Sequence, residues 1–363
     1  MVSTSFPMNR SDWRGRFIWN LSASLAARDD VALSLWAAAT DLPAGVKFAA
    51  PGGDIEWLRS LAERGGMAHL LRTSGVRALP AAIGLLARLR RLYASRKEID
   101  VIHANWLQNA IPLFGTKHPA VVSVLGTDFR LLNLPGMRMA IRAALRGRRA
   151  VLAPNAEWMV PRLQGYFGDV AQVQAIPFGV DDKWFAIERT APTGGGRDWL
   201  VVSRVTAAKI GPLFEWGEGL FGQEDRLHLL GPMQERLTLP PWVRYHGPTN
   251  PEELRRRWFP SASGLITLSQ HDEGRPQVML EAMASGIPVI ASDLAAHRDF
   301  VRDGMTGKLV RSAAELGDAL DTLRDLESNR RLGEAARAWV AREIGTWTNT
   351  AERYVAAYRS VLV

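Results

Sequence analysis

The chain alternates short β-branched runs with amphipathic helical stretches, and it does so twice over. In the first half, residues 2–6, 31–36, 46–49, 100–103, 120–125, 150–153 and 173–176 read as strands. Helical periodicity fills 15–28, 55–64, 80–96, 137–148 and 158–167. A Gly-rich break at 192–197 follows, and the alternation restarts with strands at 199–202, 226–230, 243–246, 264–268, 288–291 and 308–310. Helices are predicted at 212–221, 251–258, 276–285 and 313–327, and the tail 329–362 reads as helical nearly throughout. Repeated β-α units of this kind predict an α/β fold with parallel, doubly wound sheets. The expected organisation is two Rossmann-like domains facing a cleft. Ligands in such folds gather beyond the carboxyl ends of the strands.

Charge separates the two halves. Residues 1–180 hold 22 basic and 12 acidic side chains, whereas 181–363 hold 23 and 25. The whole excess of +8 therefore comes from the first half, which suggests an anionic partner there. Two helical stretches concentrate it: Arg88, Arg90, Arg91, Arg96 and Lys97 in one, and Arg138, Arg142, Arg146, Arg148 and Arg149 in the other. Basic residues beside apolar ones fit an anionic membrane surface, or a solvated face of an ordinary domain helix. No aromatic-interleaved basic motif points to nucleic acid.

The chain has no cysteine. Disulfide scaffolds, Cys-ligated metals and thiol catalysis are excluded. No apolar run approaches the ~20 residues of a membrane helix, and the first residues lack the basic and apolar regions of a signal peptide. The expected location is cytoplasmic, peripheral to the inner face of the membrane.

The most informative segment runs from Leu268 to Val310. A strand ends at Leu268, a loop carries Glu273 and Gly274, and Pro276 suits a first helical position. Gly286 suits the left-handed position after the helix, and Pro288 opens the next strand. The helix start near Arg275–Gln277–Val278 offers unpaired N–H groups that attract anions and oxygen-rich ligands. A Glu carboxylate, which only accepts hydrogen bonds, suits a sugar or ribose diol. On position alone, Glu273 and Glu281 are equally a loop charge and a solvated helix residue.

Glu273-Gly274-x-Pro276, the spacing to Glu281, the run Glu281-Ala282-Met283-Ala284-x-Gly286-x-Pro288-Val289 and the downstream Asp303-Gly304-x-Thr306-Gly307 resemble the donor-site signature of family 4 of the retaining GT-B glycosyltransferases. The resemblance implies a GT-B fold with an acceptor domain at 1–185, a nucleotide-sugar domain at 186–345 and a terminal helix, 346–363, returning to the first domain. It implies that Glu273 contacts donor-sugar hydroxyls, that Glu281 contacts the ribose, and that the Gly274–Arg275–Pro276–Gln277–Val278 backbone lies near sugar and phosphates. Ser203, Arg204 and Lys209 follow a strand, where the family places an Arg and a Lys on the diphosphate. The guanidinium fork and compact ammonium suit that role. No Asp-x-Asp pair occurs, so no metal cofactor is expected, the two cations neutralising the diphosphate.

The first half matches the family in pieces. Gly15 stands where the family's glycine loop approaches phosphate, though a tight turn uses glycine as well. Leu125-Gly126-Thr127-Asp128 departs from the family's His-Gly-Thr/Ser-Asp, because leucine neither donates a hydrogen bond nor takes a proton. Asp128 then serves the acceptor side or caps a turn. His103 and Asn105 end a strand, lining the acceptor region or satisfying the core.

The expected function is transfer of a sugar, with retention, from a nucleotide-diphosphate sugar to a lipid-linked saccharide in bacterial cell-surface polysaccharide synthesis, such as lipopolysaccharide. The alternatives are a nucleotide-sugar-binding protein without turnover and a glycosyltransferase with a small soluble acceptor. A glycoside hydrolase would leave the phosphate-binding cations without a purpose.

Overall fold

Every strand pairing is parallel, so each strand must be followed by a crossover that covers a sheet face. This computed structural model describes residues 1–7, 15–39, 41–190, 196–271 and 274–363. Most of the linker candidate at 192–197 and the donor-sugar candidate Glu273 lie outside the described residues.

The chain divides into two compact units: Met1–Phe178 with Trp347–Val363, and Gly179–Thr346. The first crossing lies ahead of the boundary expected at 185. The helix Asp182–Phe185 belongs to the second unit, because Trp184 packs on Phe259 with ring centroids 5.2 Å apart.

The first unit holds a parallel pair, β1 (Ser34–Leu35) and β2 (Lys47–Phe48), and a four-stranded sheet of β3 (Ile102–Asn105), β4 (Ala120–Val124), β5 (Ala150–Pro154) and β6 (Gln172–Val173), in that order. The strand expected at 2–6 shrinks to Val2, which bridges Trp36 on one side and Ala104 on the other. The terminal helix Trp347–Leu362 packs against helix Arg16–Ala26 and β4 through Leu21, Leu25, Val121, Ala351, Tyr354 and Val355.

The second unit is a six-stranded sheet. Its strands are β7 (Arg197–Val202), β8 (Asp225–Leu230), β9 (Val243–Gly247), β10 (Ala262–Thr267), β11 (Val289–Ser292) and β12 (Lys308–Val310). Their order is β12-β11-β10-β7-β8-β9. Alternate residues serve opposite faces: Leu200, Leu230 and Leu265 join one core, and Trp199, Val201, Leu229 and Ile266 the other. The buried Asp225 ties the N-terminal edge together. Its carboxylate accepts from Trp199 Nε1 at 2.9 Å and pairs with Arg197 and Arg324 at 2.8 and 3.1 Å.

Two helical expectations are shortened. The helix expected at 212–221 is only Leu213–Trp216, since Gly217, Gly219 and Gly222 follow it. The tail is interrupted at Gly345, where φ is 73°, before helix Trp347–Leu362 begins.

The chain reverses direction across the sheet between β7 and β10. Two glycines hold the loops there. Gly211 lies against Leu268, whose carbonyl oxygen would be 1.9 Å from an added Cβ. Gly231, at φ 142°, lies against Ser203, whose carbonyl oxygen would be 1.7 Å away. Gly231→Ala is therefore expected to destabilise the protein by more than the ~1–3 kcal/mol of backbone strain alone. Gly219→Ala, with open space around it, is expected to cost less. Equilibrium denaturation of both variants checks the difference.

Candidate active site

At the switch between β7 and β10 the carboxyl ends of the strands leave a natural place for a ligand. After β7 comes Ser203, whose N–H still pairs with Leu230 O at 2.9 Å, and then Arg204, half-buried with a guanidinium nitrogen 3.5 Å from Gln234 Oε1. Lys209 sits in the single turn Ala207–Ile210, capped by Thr206. Burial, and then the charge of Arg204, push its ammonium down to about 7. The loop after β10 is tied to the same turn, with Gln270 N–H donating to Ala208 O at 2.8 Å.

Helix Gln277–Ala284 begins behind that loop, with Pro276 at its cap position rather than inside it. Gly286, at φ 73°, ends it as expected. Glu281 is half-buried in the helix, and burial, then the neighbouring Asp181, push its carboxyl up to about 8. Gly274 is buried, and Val278 packs on the core.

Two residues grouped with the ligand contacts have other partners. Gln277 Nε2 donates to Gly179 O at 2.7 Å. Arg275 is 5% exposed and ion-paired with Asp299, itself 4% exposed. Its Nε and Nη1 are sealed without a hydrogen-bond partner. That guanidinium joins the loop after β10 to the loop after β11, and its side chain is occupied in doing so.

Among the described residues, no group of three or more His, Cys, Asp or Glu side chains is arranged to hold a metal ion.

Residues 218–325, spanning most of these loops, match the family model described as glycosyl transferases group 1. The matched segment is less than a third of the chain. A D-inositol 3-phosphate glycosyltransferase of Nocardia farcinica is 35% identical over 152 residues, covering 40% of this chain and 31% of the relative. One of Streptomyces scabiei is 38% identical over 150 residues, covering 39% and 31%. The match thus spans about a third of the length of these relatives. Sucrose-phosphate synthase from Thermosynechococcus elongatus shares the fold with a TM-score of 0.70 at 19% identity, over 95% of this chain and 92% of that one. Anabaena HepE, solved in complex with UDP-glucose, gives 0.67 at 15% identity over 99% and 98%. The two parallel sheets are those of GT-B glycosyltransferases.

The candidate residues of the first unit are largely occupied by structure. Gly15, at φ 66°, lies against Ser5, whose carbonyl oxygen would be 2.6 Å from a Cβ, and leads into helix Arg16–Ala26. Asp128 is buried. One carboxyl oxygen accepts Leu125 N–H and the other Leu107 N–H, both at 2.9 Å. Burial pushes it up to about 6 against those bonds. Leu125 packs beside Phe17 and Trp106 on an apolar cluster. His103 is buried with both ring nitrogens engaged, one 2.6 Å from Tyr358 Oη and the other 2.7 Å from Ser123 Oγ. Burial holds its imidazole well below the usual range. Asn105 Nδ2 donates to Val2 O at 3.0 Å, while its buried Oδ1 has no partner.

The basic stretches also spend much of their charge internally. Arg148 donates to the carbonyls of Leu113, Thr116, His118 and Ala144. Arg90 reaches Pro112 O and Phe114 O, Arg142 pairs with Asp169, and Arg138 lies over the Tyr166 ring. Arg91, Lys97 and Arg146 are exposed, as are the apolar Ile83, Leu134 and Met139.

Sequence reasoning missed Asp181, which acts on Glu281 from a hundred residues upstream, and His297 in the loop after β11. Neither carries a local signal. Removing one member of the Arg275–Asp299 pair leaves a buried charge uncompensated. Asp299→Ala is therefore expected to cost ~3–5 kcal/mol, and the double replacement Arg275→Met, Asp299→Leu much less. Denaturation measures this. An Arg275→Met variant of unchanged stability that no longer binds nucleotide would instead make Arg275 a ligand contact.

Proposed function

We propose that the chain is a retaining glycosyltransferase that moves a hexosyl unit from a nucleotide-diphosphate sugar to an acceptor hydroxyl. The observation that carries the reading is the placement of Arg204, Lys209, the start of helix Gln277–Ala284 and Glu281 about one switch point, the last two within the segment similar to glycosyl transferases group 1. The second unit would bind the donor and the first the acceptor. HepE, of the same fold, was solved with UDP-glucose, which supports a donor of that class.

In the reaction the acceptor oxygen bonds to the anomeric carbon as the bond from that carbon to the diphosphate oxygen breaks. The acceptor proton passes to the departing phosphate on the same face, so Leu125 in place of histidine does not stop it. Arg204 and Lys209 stabilise the charge that grows on the diphosphate, where losing one such contact costs ~2.7–4 kcal/mol of barrier. With those cations in place and no Asp-x-Asp pair, we propose that transfer needs no metal.

For the acceptor we propose a lipid-linked saccharide of a cell-surface polysaccharide, supported by the exposed Arg91, Lys97 and Arg146 and by the exposed apolar Ile83, Leu134 and Met139 of the same unit. With such an acceptor the protein would work at the inner face of the membrane. Among the described residues no helix is long and apolar enough to cross one. The internal use of Arg90, Arg138, Arg142 and Arg148 favours a second reading, a small soluble acceptor. The matched relatives are named for D-inositol 3-phosphate. Sedimentation with phosphatidylglycerol vesicles separates the two. The first reading expects binding that is lost in high salt, and the second expects none.

The donor site has its own test. A diphosphate favours charged Lys209. At pH 8 Lys209 is mostly neutral in the protein without ligand, so binding takes up a proton and affinity falls as pH rises above about 7. Glu281 is linked the other way, releasing its proton if the carboxylate accepts ribose hydroxyls. Calorimetry with UDP, GDP and ADP in buffers of different ionisation heat, with and without EDTA, is expected to find one nucleotide that binds regardless of EDTA. Lys209→Met is expected to weaken that binding and reduce proton uptake relative to wild type. Equal uptake in both proteins would remove Lys209 from the phosphate site.

A further inference from the structure

His297 lies in the single helical turn Ala295–Arg298 of the connection after β11, the strand next to β10 in the sheet, and is 1% exposed. Its Nδ1 is 2.7 Å from Ser292 O and 3.2 Å from Ser292 Oγ, whose own hydrogen goes to Ser269 O at 2.7 Å. A carbonyl oxygen only accepts, so Nδ1 carries the hydrogen and Nε2 presents a lone pair. Nε2 has no hydrogen-bond partner among the described residues. The imidazole is thus fixed in one tautomer with its acceptor unused.

The charge of Lys209 reaches this ring. Burial, then Lys209, push the imidazole down to about 4 in spite of the Ser292 carbonyl. A neutral Nε2 beside an ammonium is an acceptor and never a donor near neutral pH. Phosphate oxygens carry only lone pairs and are repelled by it. A hydroxyl supplies the missing hydrogen. Two adjoining loops therefore offer opposite chemistry: cations for phosphate after β7, and a fixed neutral acceptor after β11.

We propose that His297 is a specificity-determining contact for the glycosyl group, its Nε2 accepting a hydrogen bond from a sugar hydroxyl of the bound nucleotide sugar. The proposal rests on the second unit being the donor site. It goes further by assigning to the loop after β11 a contact with the sugar rather than the phosphates.

The test compares the affinity for a nucleoside diphosphate with that for its sugar conjugate. UDP and UDP-glucose are the probes, or GDP and GDP-mannose if the nucleotide panel selects guanine. His297→Asn keeps an N–H within reach of the Ser292 carbonyl but removes the acceptor at the ε position. His297→Gln restores an oxygen near that position. The proposal expects His297→Asn to bind the diphosphate within about twofold of wild type and the sugar conjugate about three- to tenfold more weakly, the span of one neutral hydrogen bond. His297→Gln should recover part of the loss. Equal weakening of both ligands by His297→Asn, or weakening of neither, overturns the proposal. If His297→Asn melts well below wild type without ligand, the same ratio is read on His297→Gln with the deoxy-sugar conjugates, where a hydroxyl contact requires one deoxy analogue to lose less affinity in the variant than in wild type. A wild type that binds neither nucleotide nor conjugate defeats the donor-site reading itself, a result distinct from any of these.

Discussion

The parallel pairing of β7 between β8 and β10 governs the rest of the second unit. Leu200 lies opposite His228 on one side and Leu265 on the other. Both sheet faces are buried there, so a ligand has room only at the strand ends, and His228 within the sheet is held by Asp198 and His246. Strand direction then brings the loops after β7, β10 and β11 to one edge. The near-contacts of Gly211 with Leu268 and Gly231 with Ser203 hold two of those loops in place, and the Arg275–Asp299 pair joins the third.

That arrangement creates electrostatic tension in the free protein. Lys209 and Glu281 are both shifted toward their neutral forms by burial, with Arg204 and Asp181 adding like charge to each. Such groups are poorly solvated before a ligand arrives. In the proposed donor site a diphosphate would supply the counter-charge for Lys209, and hydroxyls would supply donors for a Glu281 carboxylate. Perturbed groups gathered at a switch point are a mark of functional sites. The first unit shows the opposite case: His103 is buried more deeply, but Ser123 and Tyr358 satisfy both nitrogens, and the result is a joint between the sheet and the terminal helix.

How much was legible in the sequence follows from this contrast. The helix carrying Glu281 was readable because Pro276 and Gly286 punctuate it locally, and Arg204 and Lys209 because they directly follow an apolar strand. Gln277 and Arg275 could be placed at the helix start, but their partners Gly179 and Asp299 are distant in the chain and carry no matching pattern. His103 and Asp128 were ambiguous because a functional and a structural polar residue look alike in sequence. Tyr358, more than two hundred residues downstream, decides the first, and two backbone N–H groups decide the second. The charge excess of the first half was visible, but not the consumption of its arginines by carbonyls. Their long side chains reach backbone that no periodicity reveals.

The central claim is that the carboxyl edge of the second sheet binds the nucleotide. Amide hydrogen exchange, with and without the nucleoside diphosphate that binds, measures it residue by residue. The account expects added protection in the loops at 203–211, 268–281 and 292–298, with the N-terminal edge around Asp225 unchanged. Protection confined to the first unit, or absent from the loop that carries Lys209, would contradict it.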